Sequence, residues 1–175
     1  GYAGRVNGGI FKKGDEVMVL PSGFSSTIKS IDTFKGSIDK AFAPQSVTMT
    51  LEDDIDISRG DMIVRKNNSP EQKQDIDLMI CWLSDSPLQL RGKYMIKHTS
   101  KDARCMIKSI LYKVDINTLH RNEEDNNIVS NDIARISIRT TSPLFVDSYS
   151  SNRNTGSVIL IDEATNNTVG AGMII

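Results

Sequence analysis

Apolar residues in this chain recur with period two, and helical spacing is almost absent. From Ser46 to Leu51, Val47, Met49 and Leu51 share one face, and Ser46, Thr48 and Thr50 share the other. From Ile133 to Arg139, Ala134, Ile136 and Ile138 oppose Arg135, Ser137 and Arg139. Successive side chains of a strand point to opposite sides, so this alternation predicts antiparallel strands buried on one face. Glu16-Val17-Met18-Val19-Leu20 and Val158-Ile159-Leu160-Ile161 are apolar on both faces and predict strands covered on both sides. Turn signals interrupt the runs at Lys13-Gly14-Asp15, Pro21-Ser22-Gly23, Arg59-Gly60-Asp61, Arg91-Gly92-Lys93 and Asn154-Thr155-Gly156. Short strands punctuated in this way predict an all-β barrel or sandwich. The one helical candidate is a single turn from Glu52 to Ile57.

At 175 residues the chain is long for one small barrel and sufficient for two domains. The polar, Pro-containing stretch from Arg65 to Gln74 lies between apolar strands and reads as a linker. It divides the chain into domains 1–68 and 74–175. The second domain opens with Ile76 to Leu83, and its polar excursion from His120 to Asp132 reads as an exposed loop. The chain starts without Met at Gly1-Tyr2-Ala3-Gly4-Arg5-Val6, which has the character of strand interior. A segment of a longer protein is expected. No secretory signal opens the chain, and no apolar run approaches the ~20 residues that span a bilayer.

A net charge of −1 gives no global basic field for nucleic acid. Cys81 and Cys105 each sit in an apolar strand-like run, so two free thiols in a cytoplasmic protein are expected rather than a disulfide. His98 and His120 lack His or Cys partners at metal-ligand spacing and read as structural or solvated. The run Glu52-Asp53-Asp54-Ile55-Asp56 lacks the alternating ligands and central Gly of a calcium loop and reads as a solvated turn. Arg59-Gly60-Asp61 matches an adhesion tripeptide but reads as a turn without a secreted context. For the same reason Asn67-Asn68-Ser69 and Asn166-Asn167-Thr168 carry no weight as glycosylation sites. No phosphate-binding loop is present, and the glycines between Gly1 and Gly9 precede no helix. No catalytic, cofactor-binding or metal-ligating residue is assigned.

Gly9 to Val17 resembles the opening of the second domain of translational GTPases. Val47 to Leu51, followed by Ile57-Ser58-Arg59-Gly60-Asp61-Met62-Ile63, is similar to that domain's closing strands. The second half is more specific. Ile80-Cys81-Trp82-Leu83-Ser84-Asp85-Ser86-Pro87-Leu88, Gly92 to Lys97 and Tyr112 to Leu119 resemble the large, GTPase subunit of sulfate adenylyltransferase. So do Pro143 to Tyr149, Thr155 to Asp162 and Thr168 to Ile174, which also resemble the third domain of elongation factor one-alpha more distantly.

The resemblance implies two antiparallel β-barrels like domains 2 and 3 of translational GTPases. It implies a parent subunit that couples GTP hydrolysis to the formation of adenylyl sulfate and pyrophosphate from ATP and sulfate. GTP and magnesium would be held by the parent's nucleotide-binding domain, whose motifs are absent from this sequence. The expected partners are that domain and the catalytic small subunit, with no membrane and no nucleic acid. The alternative is a pair of transfer-RNA-binding barrels, disfavoured by the near-neutral charge. A secreted adhesion module using Arg59-Gly60-Asp61 is the third reading.

Overall fold

A computed structural model describes residues 1–175. The strands of the first half are β1 (Tyr2–Arg5), β2 (Ile10–Lys12), β3 (Glu16–Leu20), β4 (Ser25–Thr33), β5 (Gly36–Ile38), β6 (Lys40–Phe42), β7 (Ser46–Leu51) and β8 (Met62–Arg65). Those of the second are β9 (Glu71–Trp82), β10 (Lys93–His98), β11 (Lys101–Val114), β12 (Arg121–Asn122), β13 (Ile133–Val146), β14 (Ser157–Ile161) and β15 (Thr168–Ile174). There is no helix, and hence none able to cross a membrane. The chain divides into two compact units, Gly1–Ser69 and Pro70–Ile175.

In the first unit the sheet runs β1-β7-β4-β3-β8, with β5 against β4 and a separate β2–β6 ribbon. The alternation read between Ser46 and Leu51 is realised in β7, where Val47, Met49 and Leu51 are buried. They share one core with Val17 and Val19 of β3, Ile28 and Ile31 of β4 and Ala41 of β6. The turn at Lys13-Gly14-Asp15 is tight, and Gly14 adopts φ +87°, a region that a β-carbon disfavours. Asp15 then accepts a hydrogen bond from the Lys12 backbone N–H at 2.9 Å. The helical turn expected from Glu52 to Ile57 does not form. Ile55 and Ile57 pack as half-buried anchors on the core, two residues apart, which an extended backbone satisfies and a helix does not.

In the second unit the order β10-β14-β15-β9-β13-β11 closes, because β10 also pairs with β11, and β12 extends the edge of β11. The result is a six-stranded antiparallel barrel. Ile76, Leu78, Ile80 and Trp82 of β9 line its interior with Ala134, Ile136 and Ile138 of β13. Long strands must bend to close so small a ring, and bulges supply the bend. In β11 the register shifts between Ile107 and Ser109 and again before Tyr112. The buried face accordingly switches from Ala103, Cys105 and Ile107 to Tyr112, with Ile110 packed on the core. The Trp82 and Tyr94 rings meet edge-to-face at 5.6 Å, and the indole N–H donates to the Ser86 carbonyl.

Two loop readings change. Glu71 to Gln74 is not linker: it begins β9, with Glu71, Gln72 and Lys73 paired to Val146, Phe145 and Leu144. Its polar composition concealed it, because backbone pairing needs no apolar side chain. The excursion from His120 to Asp132 is pinned to the barrel by Ile128, which is fully buried, and by the β12 pairing at Arg121 and Asn122.

Candidate functional site

Every titratable group weighed in the sequence has an identifiable place in the fold. His98 is 2% exposed at the end of β10, and its Nε2–H donates to the Thr155 carbonyl at 2.7 Å. Burial holds its pKa below the ordinary histidine value, against the opposing effects of that hydrogen bond and of Asp147. The Thr155 hydroxyl donates in turn to the Asp147 carboxylate, so the cluster ties β10 to the loop before β14. His120 is exposed near the β11–β12 turn, far in character from a ligand cage. Cys105 points into the barrel and Cys81 is half-buried, and both are free. The Cys105 thiol is pushed up to about 12 by burial, assisted by Glu163.

Glu52, Asp53, Asp54 and Asp56 are exposed, and the Asp53 carboxylate accepts from the Ser26 hydroxyl at 2.8 Å. Arg59-Gly60-Asp61 forms the turn before β8, with the Ser58 N–H donating to Asp61 Oδ2 at 2.9 Å. No group of three or more His, Cys, Asp or Glu side chains converges as a metal site.

What the fold does assemble is surface. On the outer wall of the second unit, cross-strand register lines up Lys97, Ile159, Ala171, Cys81 and Ile133 across five strands. A second row joins Ser157, Met173, Met79 and Arg135. A shallow hollow of about 490 Å³ opens over this wall, lined by Lys97, Tyr149, Ile159, Ala171 and Met173. The sequence signal was the run Val158 to Ile161, read as covered on both sides. Val158 and Leu160 are buried, but Ile159 and Ile161 face outward and are half-exposed.

The rim of this wall is fixed by charge. Asp75 accepts Lys108 and Arg139, each at 2.9 Å, and Asp77 accepts Arg135 at 2.9 Å. Lys108, then Arg139, keep Asp75 below the ordinary carboxylate range. Lys113 bridges Asp132 at 2.7 Å and Asp125 at 3.3 Å, and the Asp132 hydrogen bond raises its pKa.

Residues 75–175, the closed barrel, match the GTP-eEF1A C-terminal domain-like family. The chain belongs to that family. Along its whole length it is also similar to two curated relatives. It is 47% identical over 175 residues to sulfate adenylyltransferase subunit 1 of Bacteroides fragilis, covering 100% of this chain and 37% of that protein. It is 45% identical to the bifunctional enzyme CysN/CysC of Mycobacterium tuberculosis, covering 99% of this chain and 28% of that protein. The chain thus spans about a third of the length of the relatives it matches. Among solved structures, Sup35 complexed with GDP superposes with a TM-score of 0.88 at 17% identity, over 99% of this chain and 43% of that one. Elongation factor SelB of Methanococcus maripaludis in its apo form gives 0.78 at 23% identity, over 98% and 38%. These two share the fold, which is that of translational GTPases.

Proposed function

We propose that the two units are the non-catalytic part of the GTP-hydrolysing subunit of a cytoplasmic sulfate adenylyltransferase. In this reading the whole enzyme couples GTP hydrolysis to the making of adenylyl sulfate and pyrophosphate from ATP and sulfate. The observation that carries the reading is 45–47% identity along the whole chain to proteins named sulfate adenylyltransferase subunit 1. The residues fit a supporting role. Candidate sites resolve into turns, caps and a buried histidine, while the outer wall of the second barrel offers an apolar row. GTP and magnesium are held elsewhere in the subunit, and the two units pass its nucleotide-dependent change to the catalytic small subunit as a rigid-body shift.

The test is to co-express the chain with a small subunit and to assay both together and apart. The chain alone forms no adenylyl sulfate, and it co-purifies with the small subunit or with the nucleotide-binding domain supplied in trans. Ala171→Asp, on the outer wall, reduces that association without unfolding the barrel. Turnover of ATP and sulfate by the chain alone overturns the reading. Steeply salt-dependent binding of transfer RNA replaces it with the elongation-factor alternative.

A further inference from the structure

The β2–β6 ribbon of the first unit pairs residues in an unusual way. Lys12 lies directly opposite Lys40, and Ile10 directly opposite Phe42. Ile10, Lys12, Lys40 and Phe42 share the outward face, while Phe11 and Ala41 between them turn to the core. Ile10 is 45% and Phe42 48% exposed. Like charges directly opposite on one face repel, and their usual remedy is a neighbouring carboxylate. Here the nearby carboxylates are directed to other cations: Asp15 to Arg65 at 3.9 Å and Glu16 to Lys66 at 3.6 Å. Asp39 and Lys13 flank the ribbon, joined only through the backbone, where the Lys13 N–H donates to the Asp39 carbonyl at 3.0 Å.

The ribbon is also held rigid. The Phe42 N–H donates to the Gln45 side chain at 2.9 Å, and the Gln45 carbonyl accepts from Val6 at 2.8 Å. The face thus sets two exposed ammoniums, neither in an ion pair, beside an exposed apolar pair.

We propose that this ribbon is a docking surface for an acidic, apolar-containing segment of a partner protein. The segment lies extended along the ribbon. One apolar side chain sits between Ile10 and Phe42, and a carboxylate two residues on, about 7 Å away, sits between Lys12 and Lys40. Charge complementarity selects an acidic partner. The aliphatic Ile10 and the presence of only two facing cations disfavour nucleic acid, which is bound by grooves that track many phosphates. The inference is independent of which enzyme the chain serves.

The probe is a fluorescein-labelled peptide of alternating glutamate and leucine, titrated with the whole chain and followed by anisotropy. Saturable binding is expected, lost when glutamine replaces glutamate in the peptide. Lys12→Glu is the decisive variant. It places a carboxylate opposite Lys40, so the thermal midpoint holds or rises while peptide affinity falls by about tenfold or more, the scale of one lost charge-assisted contact. Phe42→Ser weakens binding through the apolar pair. No saturable binding, an affinity indifferent to Lys12→Glu, or tighter binding of oligouridine RNA than of the peptide each overturns the proposal.

Discussion

In Pro70–Ile175 each of the six barrel strands has a neighbour on both sides, because β10 pairs with β11 as well as with β14. In Gly1–Ser69 the ladder runs from β1 to β8 without such a closing pair, and a detached ribbon completes the set. The closed unit buries one cluster of twenty core residues, including the only Trp. The open unit buries nine, helped by half-buried side chains such as Tyr2, Phe11 and Ile63. Closure removes strand edges and lets every inward side chain meet another across the barrel. An open path leaves edges and outward faces, and the ribbon presents one of them.

The comparison breaks most visibly at Trp82. This side chain is 1% exposed and packs edge-to-face on Tyr94. Trp82→Ala should cost the second unit about 3–5 kcal/mol. Denaturant unfolding followed by circular dichroism should then show the second unit losing its place as the more stable one. In the unaltered protein, Trp82 fluorescence should change at higher denaturant than the first phase of the dichroism. Coincident transitions would show that closure confers no separate stability.

A middle-sized effect comes from His98. Its folded pKa lies below the unfolded value of about 6.5, with burial as the main cause. As pH falls through the unfolded value, the unfolded chain takes up a proton that the folded barrel refuses. The contribution is therefore complete above about pH 6.5 and is lost as pH falls toward the folded pKa. The second unit should lose stability as pH falls below about 6.5, and His98→Gln should flatten that slope. A slope unchanged by the substitution would place the titrating group elsewhere.

The smallest effect sharpens the distinction between the barrel's inside and outside. Cys105 is 3% exposed, with its thiol pushed up to about 12, whereas Cys81 lies half-buried on the outer wall. N-ethylmaleimide should modify Cys81 in the native protein and Cys105 only on unfolding, as read by mass spectrometry of tryptic peptides. Equal rates would mean that the ring opens readily.

Strand identity was legible wherever one face is apolar, as in Val47-Met49-Leu51 and Ala134-Ile136-Ile138, because period-two burial writes itself into the residues. It was illegible at Glu71 to Gln74, where pairing with Leu144 to Val146 is made by backbone groups common to every residue. The acidic stretch after Leu51 misled, because clustered carboxylates hid the anchoring roles of Ile55 and Ile57. Gly156 shows a requirement invisible in sequence: a β-carbon there would lie 2.4 Å from the Tyr149 Cα. The surfaces were the least legible of all. The apolar row through Ile159, Ala171 and Cys81 and the Lys12–Lys40 pair arise from register between strands distant in the chain.

By itself, then, the sequence determined an all-β chain with turns at set places, because alternation and turn residues act over a few positions. Only the tertiary structure decided that one unit closes and the other does not, and which side chains meet on the outside. Ring closure and cross-strand register depend on bulges and on pairings tens of residues apart, and local side-chain preference is blind to both.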